Sequence, residues 1–302
     1  MQEQSINWTG LATLREAYLE ATAGKRDYWT AHLLADYDRT FAARIGWKWD
    51  HALADLDRRG FAGHVVGPIV DWGCGTGIAT RRVLAQWPSL SRLPVVVSDR
   101  SPRAMAFAAR QIEANVITAD PEKIPTPGVL LVSHVVTELR PKELQQLIAL
   151  CRRAAAVIWV EPGTPVASRA LISARESLRD VHTPIAPCGH SAPCGMLAPQ
   201  NERHWCHHFA EPPQSSYHDP LWNQFADKLK IDWRSLPVSY LAMRRATTEP
   251  LPALPEALTE ALTIGHPRRY KGHSVRLVCD GSGVSEKRTN RRDGPKGQGH
   301  RT

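Results

Sequence analysis

Apolar residues at helical spacing dominate the first part of the chain. Leu11, Leu14 and Tyr18 recur at intervals of three and four residues, and the same spacing continues from Leu33 to Trp47. Polar residues fill the positions between them, as on an amphipathic helix. The pattern predicts a helical lead-in of two or three helices over residues 1–60.

From residue 61 to residue 165, short apolar runs alternate with helical segments. Ser101 or Asp99 can cap one of the helices, and Pro141 can open another. Apolar runs separated by helices predict an α/β fold whose mostly parallel sheet is covered on both faces. Ligands of such sheets bind beyond the carboxyl ends of the strands. The predicted strands lie at residues 69–70, 95–97, 116–119, 128–134 and 154–162.

A glycine-rich loop follows the first predicted strand. Asp71 is followed by Gly73, Gly75 and Gly77, and a helical pattern begins directly after them. Glycines there allow backbone N–H groups to approach a polar ligand at a helix N-terminus. Ile78 occupies the position at which a dinucleotide fingerprint needs its third glycine, and no Gly-Lys-Ser/Thr phosphate loop is present.

The loop Asp-x-Gly-x-Gly-x-Gly resembles the first motif of class I S-adenosylmethionine (SAM) methyltransferases. In that superfamily the loop holds the methionine part of the cofactor. Asp99 ends the next strand, where the resemblance implies that it accepts both ribose hydroxyl hydrogens. Asp120 follows the third strand, and its counterpart would lie near the adenine.

Residues 166–215 change character, because a predicted helix is followed by a segment rich in Pro, His and Cys without periodicity. Cys188, Cys194 and Cys206 lie in it, and Cys279 is available as a fourth thiolate. In a protein with reduced thiols this grouping favours a metal over disulfides. Four thiolates suit a 4Fe-4S cluster, whereas three thiolates and one imidazole suit zinc. The histidines available for zinc are His190, His207 and His208.

The last part of the chain predicts two more strands and a tail. The apolar runs 237–243 and 273–279 predict an antiparallel pair that closes the sheet, within a segment from residue 216 to residue 284. A Pro-rich linker at 249–255 separates them. Residues 285–302 are poor in apolar side chains and predict a disordered basic tail.

Charge favours a polyanionic partner. The 302 residues carry a net charge of +8, and residues 286–302 hold six Lys or Arg against two acidic residues. The sequence pI is about 9.4. Lys and Arg that neutralise phosphates release counterions and gain affinity. No run of 18 apolar residues and no signal-peptide pattern is seen, which favours a cytoplasmic protein that does not enter a membrane.

Several phrases together resemble one family. They are Ser133-His-Val-Val-Thr-Glu-Leu139, Val160-Glu-Pro-Gly-Thr-Pro165, Pro187-Cys-Gly-His190, Trp205-Cys-His-His-Phe209, Tyr240-Leu-Ala-Met243 and Leu277-Val-Cys279. The family is that of the ribosomal small-subunit methyltransferase-like proteins, which comprises the mitochondrial small-subunit assembly factor and its bacterial relatives.

The resemblance implies a SAM site at Asp71, Gly73, Gly75, Gly77 and Asp99, and an iron–sulfur cluster on Cys188, Cys194, Cys206 and Cys279. It also implies small-subunit ribosomal RNA (rRNA) and the assembling small subunit as partners of a monomer.

The residues that would act on a methyl acceptor are sought after the fourth strand. No Asn/Asp-Pro-Pro-Tyr pattern follows the fourth strand, and Ser133, His134 and Glu138 stand there instead. His134 and Glu138 are therefore the candidate catalytic residues, with a satisfied core histidine as the alternative for His134. Two functions remain open: a methyltransferase that modifies small-subunit rRNA, and a non-catalytic iron–sulfur assembly factor that retains a SAM pocket.

Overall fold

The computed structural model describes residues 5–20, 28–246 and 261–290. Three helices precede the first strand, and a π-helical turn, Asp38–Ala42, joins the second to the third. They occupy the predicted helical lead-in. The helices in these ranges are α1 (Trp8–Leu19), α2 (Ala31–Tyr37), α3 (Ala43–Arg58), α4 (Ile78–Gln86), α5 (Pro102–Gln111), α6 (Pro141–Arg153), α7 (Pro165–Leu178) and α8 (Pro220–Leu229).

Strands alternate with helices as far as α7 and then follow one another. They are β1 (Ile69–Trp72), β2 (Val95–Ser98), β3 (Val116–Thr118), β4 (Val129–Ser133), β5 (Ala156–Pro162), β6 (His182–Ala186), β7 (His208–Ala210), β8 (Leu236–Arg245), β9 (Leu262–Tyr270), β10 (His273–Asp280) and β11 (Gly283–Asn290). None of the helices in the described part of the chain combines the length and apolar character that a membrane span requires.

One sheet of eight strands forms the centre of the molecule. Its order is β3-β2-β1-β4-β5-β8-β6, with β7 paired to β8. The strands β1 to β5 pair in parallel, and β8 runs antiparallel to β5, β6 and β7. This confirms the predicted α/β fold with a mostly parallel, Rossmann-like sheet. All five strands predicted between residues 61 and 165 are present in it.

The prediction of an antiparallel pair that closes the main sheet is right for one strand and wrong for the other. Residues 237–243 lie in β8 of the main sheet, but residues 273–279 lie in β10, which pairs with β9 and β11 in a separate three-stranded sheet. The outer neighbour of β8 is β6, where Pro184 interrupts the apolar pattern. Proline is tolerated at an edge strand because its missing N–H then costs no ladder hydrogen bond.

The predicted tail begins too early. Its residues 285–290 belong to β11, which pairs with β10 from Gly283↔Asp280 to Asn290↔His273. A polar strand of this kind cannot be predicted from alternating apolar residues, because neither face of its exposed end is buried. The Pro-rich segment 249–255 and residues 291–302 lie outside the described residues.

Alternate residues of the central strands pack into two apolar layers. Val97, Leu131 and Ile158 face one layer, which contains side chains of α1, α3, α4 and α8. Leu130 and Trp159 face the other, against α6 and α7. The layers bury the sheet on both sides and leave its carboxyl-terminal edge to be shaped by the loops.

The capping residues explain where several helices begin. The Ser101 hydroxyl accepts a hydrogen bond from the Ala104 N–H and starts α5, and Thr164 starts α7 in the same way through Ala167. Pro141 occupies the first turn of α6, as predicted, where its missing N–H has no partner to lose. The starts of α5 and α6 thereby follow the carboxyl ends of β2 and β4.

Candidate functional site

The glycine loop after β1 is built for close packing at two of its three glycines. Gly73, Gly75 and Gly77 all have left-handed backbones, with φ of 70°, 51° and 76°. A Cβ at Gly73 would lie 2.8 Å from Val135 Cγ1, and one at Gly77 would lie 3.0 Å from Ala108 Cβ. A Cβ at Gly75 would meet nothing within 4 Å. Gly75 is therefore the glycine that faces open space.

The loop amides hold the loop together. The Gly73 N–H donates to the Ser98 carbonyl at 2.8 Å and the Gly77 N–H to the Cys74 carbonyl at 2.7 Å. The Gly75 N–H donates to Asp99 Oδ2 at 2.9 Å. Each of the three amides therefore has an acceptor within the chain in this conformation, and the contact of the loop with a ligand stays a prediction. The loop is preformed.

Asp99 lies directly beside Gly75, and its predicted contact with a ribose stays a prediction. Its Oδ1 accepts a hydrogen bond from the Ser101 N–H at 2.9 Å, and its Oδ2 faces Gly75. A carboxylate offers about four acceptor positions, and these two bonds fix the orientation of the Asp99 carboxylate. Asp99 thus joins the glycine loop to the start of α5.

Asp71 connects β1 to the helix that follows the glycine loop. Its side chain is fully buried, and Oδ2 accepts a hydrogen bond from the Thr80 hydroxyl at 2.7 Å. Burial raises the pKa of Asp71 to about 7, and the hydrogen bonds from Thr80 oppose that rise. The role that its contacts indicate is to fix the first turn of α4 relative to β1.

Asp120 lies farther out. It follows β3, its side chain is 68% exposed, and it pairs with Lys123 at 3.5 Å. An exposed pair of this kind contributes little to stability. Its expected position near an adenine stays a prediction.

The helical lead-in lies close to this edge of the sheet. Burial raises the pKa of Tyr18 and of Tyr37, and the nearby carboxylates of Glu138 and Asp99 raise both further. Asp38 of the π-helical turn forms an ion pair with Arg81 of α4. The lead-in therefore contributes side chains to the surroundings of the glycine loop.

Glu138 is a partly buried carboxylate at this edge. Arg100 Nη2 lies 3.5 Å from its Oε2. Burial raises the pKa of Glu138 to about 8, whereas Arg100 lowers it. A carboxyl of this kind exchanges its proton near neutral pH, which suits a general acid or base.

His134 occupies a strained position directly after β4. Its φ of 54° is unusual for a residue with a side chain, and such strain is concentrated at functional sites. Its Nε2 lies 3.4 Å from Lys48 Nζ. Burial lowers the pKa of His134 well below its ordinary value, and the Lys48 charge adds to the effect. The imidazole is therefore neutral at physiological pH.

Lys48 comes from α3 and is 9% exposed. Burial lowers the pKa of its ammonium to about 7, the Arg44 guanidinium lowers it further, and Glu161 raises it. The next residue, Trp49, donates its indole N–H to the Ser133 hydroxyl at 2.9 Å. These contacts attach α3 to the carboxyl end of β4.

Glu161 at the end of β5 organises the loop that carries His134. Its Oε1 accepts hydrogen bonds from the Val135 and Val136 N–H groups, both at 3.0 Å, and from the Trp159 indole at 2.6 Å. The side chain is fully buried, and burial raises its pKa to about 7. Glu161 is a positioning group rather than a surface acid.

Unpartnered buried polar atoms collect at the carboxyl ends of the central strands. An atom of this kind costs roughly 1–3 kcal/mol unless something bonds it. Those at this edge are Asp71 Oδ1, Thr76 Oγ1, Ser98 Oγ, His134 Nδ1 and Glu161 Oε2. Their position at the carboxyl ends of the strands fits a polar ligand such as the cofactor that the motif implies.

The four predicted thiols form a second cluster, which we call the thiol cluster: Cys188, Cys194, Cys206 and Cys279. Cys194, Cys206 and Cys279 pack against the same apolar side chains. Burial raises the pKa of Cys206 well above its ordinary value, and the thiols of Cys188, Cys194 and Cys279 raise it further. The fold thus brings Cys188, Cys194, Cys206 and Cys279 near one another, and their predicted role as metal ligands stays a prediction.

The histidines around the thiol cluster differ in position. His190 Nε2 lies 3.9 Å from Cys279 Sγ, and His208 Nε2 lies 4.0 Å from Cys206 Sγ. His207 instead stacks on the Trp205 ring, with centroids 4.7 Å apart. Among the described residues no group of three or more His, Cys, Asp or Glu side chains is arranged to hold a metal ion. The metal-binding character of this insertion therefore stays a proposal.

Three important residues escaped the sequence analysis. Lys48 occupied an ordinary polar position in the pattern of an amphipathic helix. Glu161 belongs to the segment Val160-Glu-Pro-Gly-Thr-Pro165 but was given no role. Arg175 of α7 is 2% exposed and donates to the carbonyls of His190 and Ala192 at 3.0 Å. A charged residue on the apolar face of a predicted helix was the available signal for Lys48 and Arg175.

The raised pKa of Asp71 predicts a specific pH dependence. The folded chain keeps this proton up to about pH 7, whereas the unfolded chain releases it near 3.8, so stability falls as the pH rises between these values. Asn at this position still accepts from Thr80 and never ionises. Asp71→Asn should therefore gain stability relative to the native chain by up to roughly 4 kcal/mol as the pH rises from about 4 to about 7.

Urea unfolding over that pH range measures the effect. Asp227→Asn is the control, because Asp227 is exposed and Lys230 lowers its pKa, so its small contribution is lost on acidification instead. Parallel curves for the native chain and Asp71→Asn would contradict the proposed ionisation.

Comparison with known proteins gives a family and several distant structures. A putative RNA methyltransferase from Pyrococcus horikoshii is 11% identical, with a TM-score of 0.38, over 64% of this chain and 85% of that one. Magnesium protoporphyrin IX methyltransferase from Synechocystis PCC 6803, with bound SAM, is 10% identical, with a TM-score of 0.41, over 82% and 100%. A SAM-dependent methyltransferase from Archaeoglobus fulgidus is 16% identical, with a TM-score of 0.35, over 66% and 94%.

These structural similarities are too low to assign an activity. Comparison with curated proteins gives no significant match. The family model described as mitochondrial small ribosomal subunit Rsm22 matches residues 62–301, which include the glycine loop and all four thiols of the cluster. The chain therefore belongs to the mitochondrial small ribosomal subunit Rsm22 family.

Proposed function

We propose that this chain is a SAM-dependent methyltransferase-like protein that acts on small-subunit rRNA or on the assembling small ribosomal subunit. The observation that carries the proposal is the open face of Gly75 beside the Asp99 carboxylate, at the carboxyl edge of a Rossmann-like sheet. The family description supports the ribosomal part, since it names the small ribosomal subunit.

The residues around Gly75 fit this cofactor. Asp99 would accept the ribose hydroxyl hydrogens, and the unpartnered hydroxyl of Thr76 lies in the same loop. SAM, when bound, supplies a methyl group on a positively charged sulfur. The chain then has to exclude water and orient an acceptor in line with that group. Tyr18 and Tyr37 of the lead-in are buried near the carboxylates of Asp99 and Glu138, where they would help to exclude water.

Lys48 and His134 are the side chains best suited to remove a proton from the acceptor. Burial lowers the pKa of Lys48 to about 7, so its amine can take a proton near neutral pH, while burial keeps His134 neutral and able to accept a hydrogen bond from the Lys48 ammonium. Their nitrogens lie 3.4 Å apart, close enough to share a proton. A positioned base of this kind accelerates a transfer by about 10²–10⁴-fold.

An assembly factor without catalysis is the second candidate function. His134 Nδ1 is inaccessible to solvent, and Lys48 is 9% exposed. A nucleotide therefore has little access to these groups in this conformation. In this alternative the buried polar edge binds SAM as a structural element, and the protein binds rRNA without modifying it.

Gly75→Asp should abolish SAM binding, measured by calorimetry. The new side chain would project into the open space beside Asp99 and fill it with a second negative charge. Gly60→Asp is the matched control, because Gly60 has φ of 68° and a Cβ there also meets nothing within 4 Å. Both variants carry the same left-handed strain, of about 1–2 kcal/mol, so only the position differs. Equal SAM affinity in the two variants would reject the loop as a cofactor site.

Transfer of a labelled methyl group from SAM to small subunits isolated without this protein separates the two functions. An enzyme labels the 16S-type RNA, and Lys48→Met should slow the transfer at least about 100-fold with SAM affinity unchanged. Lys228→Met, at an exposed position on α8, should leave the rate unchanged. Absence of label with the native protein at saturating SAM would support the assembly factor instead.

We further propose that the thiol cluster holds a 4Fe-4S centre, with zinc on three thiols and His190 or His208 as the alternative. Cys206 lies close enough to Cys188, Cys194 and Cys279 for their thiols to raise its pKa, and four thiolates are the usual ligand set of a 4Fe-4S cluster. The buried Arg175 guanidinium lies beside Cys188 and Cys194 and would offset their negative charge.

Anaerobically purified protein should show the broad visible absorbance of an iron–sulfur centre and contain iron. Cys206→Ser should remove the absorbance, whereas Cys151→Ala should retain it, because Cys151 lies in the apolar layer against α6 and α7. A colourless protein with one equivalent of zinc would refute the iron assignment and support zinc.

A further inference from the structure

The separate sheet β11-β10-β9, which we call the outer sheet, carries much of the positive charge of the chain. Residues 262–290 contain six Lys or Arg against two acidic residues, a surplus of four in a chain of net charge +8. Most of these residues lie on strands, and successive side chains of a strand point to opposite faces of the sheet. The charge is therefore arranged on two defined surfaces.

One end of the outer sheet is anchored to the body. Ile264 of β9 is buried in an apolar cluster with Ile172 of α7 and Met196, and Leu277 and Val284 pack against them. A Cβ at Gly195 would lie 2.9 Å from Gly283 Cα, so the backbones touch there. These contacts fix the sheet at the end that carries Cys279.

The other end projects into solvent. Residues 266–272 are all exposed, as are residues 286–288 on the strand β11. Tyr270 is 47% exposed, which is high for a large ring. His266 stacks on the Phe209 ring of β7, with centroids 3.6 Å apart, and the consecutive exposed residues beyond it form the projecting end.

One face of the projecting end combines cations with hydroxyls. Arg276 and Lys287 are directly opposite each other on β10 and β11, and the next pair on that face is Ser274 with Thr289. Arg269 is opposite Ser274 on β9. Like charges directly opposite each other destabilise a sheet, and a bound anion reverses the effect. Two cations, two hydroxyls and a further guanidinium match a row of phosphates.

The opposite face carries a pair of stacked rings. The Tyr270 and His273 rings lie 4.9 Å apart with an interplanar angle of 12°. Arg268 and Arg288 are both aligned with Val275 in the register and so share this face, where Arg268 is paired with Glu286. An exposed aromatic ring beside guanidinium groups is the usual platform on which unpaired bases stack.

We propose that the projecting end of the outer sheet binds single-stranded RNA, with phosphates on the face of Arg269, Arg276 and Lys287 and a base on Tyr270. The inference rests on the proposed function in one respect, since it assigns to this surface the RNA contact that a ribosomal role requires. A lipid surface fits less well, because the cationic face presents hydroxyls rather than large apolar side chains.

Binding of a labelled oligouridylate of about 20 nucleotides tests the proposal. The triple variant Arg269→Glu, Arg276→Glu and Lys287→Glu should weaken binding at least about 100-fold at low salt. It should also reduce the slope of log K against log salt by about 2, since three phosphate contacts on a single strand are lost. Tyr270→Ala should weaken binding about tenfold with the slope unchanged, because it removes stacking and no charge.

The matched control reverses three exposed cations elsewhere: Arg92→Glu, Arg110→Glu and Lys228→Glu. It has the same net charge as the triple variant and should keep the native affinity within about threefold. Equal weakening by the control would overturn the proposal, since net charge alone would then explain binding. Tighter binding to an RNA duplex of equal length, or binding to phosphatidylserine vesicles but not to RNA, would also overturn it.

SAM titration of the same variants separates this proposal from the proposed function. The outer sheet variants should bind SAM as the native chain does, because Gly75 and Asp99 lie in the loops that follow β1 and β2 of the main sheet. A native chain that binds RNA through this surface but binds no SAM would refute the cofactor site alone. Should the triple variant fail to fold, the same positions changed to Gln remove the charges without reversing them and should lower the salt slope equally.

Discussion

The buried ion pair between Asp55 and Arg59 is the interaction on which both sites depend. Asp55 accepts hydrogen bonds from Arg59 at 3.1 Å and from the Tyr240 hydroxyl of β8 at 2.9 Å. Arg59 is 5% exposed and donates onward to the Ile185 and Pro187 carbonyls, next to Cys188. Removing one partner of such a pair costs about 3–5 kcal/mol, because it leaves a buried charge unpaired. Helix α3 is thus fixed to the sheet and to the segment that enters the thiol cluster.

The same helix carries Lys48 to the other site. Lys48 meets His134 at the carboxyl end of β4, whereas Asp55 lies two turns farther along α3. Rigid placement of α3 therefore sets the distance between a buried amine and the loop that Glu161 holds. Asp71, Glu161 and Lys48 all have pKa values displaced to about 7 by burial. Burial of these ionisable groups lowers stability at this edge of the sheet, as is usual where a site must bind a polar ligand.

The sequence predicted the sheet and the glycine loop well, because both depend on local pattern. Strands β1 to β5 are nearly continuous apolar runs, and the glycines need left-handed backbones that few other residues adopt. Edge strand β6 was missed because Pro184 obscures its pattern, and β11 because Glu286 and Lys287 make it polar. Neither strand can be recognised from the sequence unless one already knows which strands lie at the edge of a sheet.

The candidate site was predictable only in part, for a similar reason. Asp99 follows its strand in the order that the motif requires, so its position beside Gly75 could be foreseen. Lys48 and Arg175 could not be assigned, because their significance comes from contacts with residues about 90 and 15 positions away in sequence, respectively. The carboxyl Asp71 was foreseen as a cofactor ligand, whereas its contacts with Thr80 favour a supporting role.

The thiol cluster and the outer sheet share one strand, and this joins the two proposals physically. Cys279 lies on β10, three residues after Arg276, while the other three thiols belong to the body of the protein. A centre bound by all four would therefore tie the outer sheet to α7 and the main sheet by covalent bonds, in addition to the apolar contacts of Ile264. Because metal binding is coupled to folding in segments with a small core, the bound state would orient the cationic face more firmly than the apolar contacts alone. The surface proposed to bind RNA would then depend on the state of the thiols.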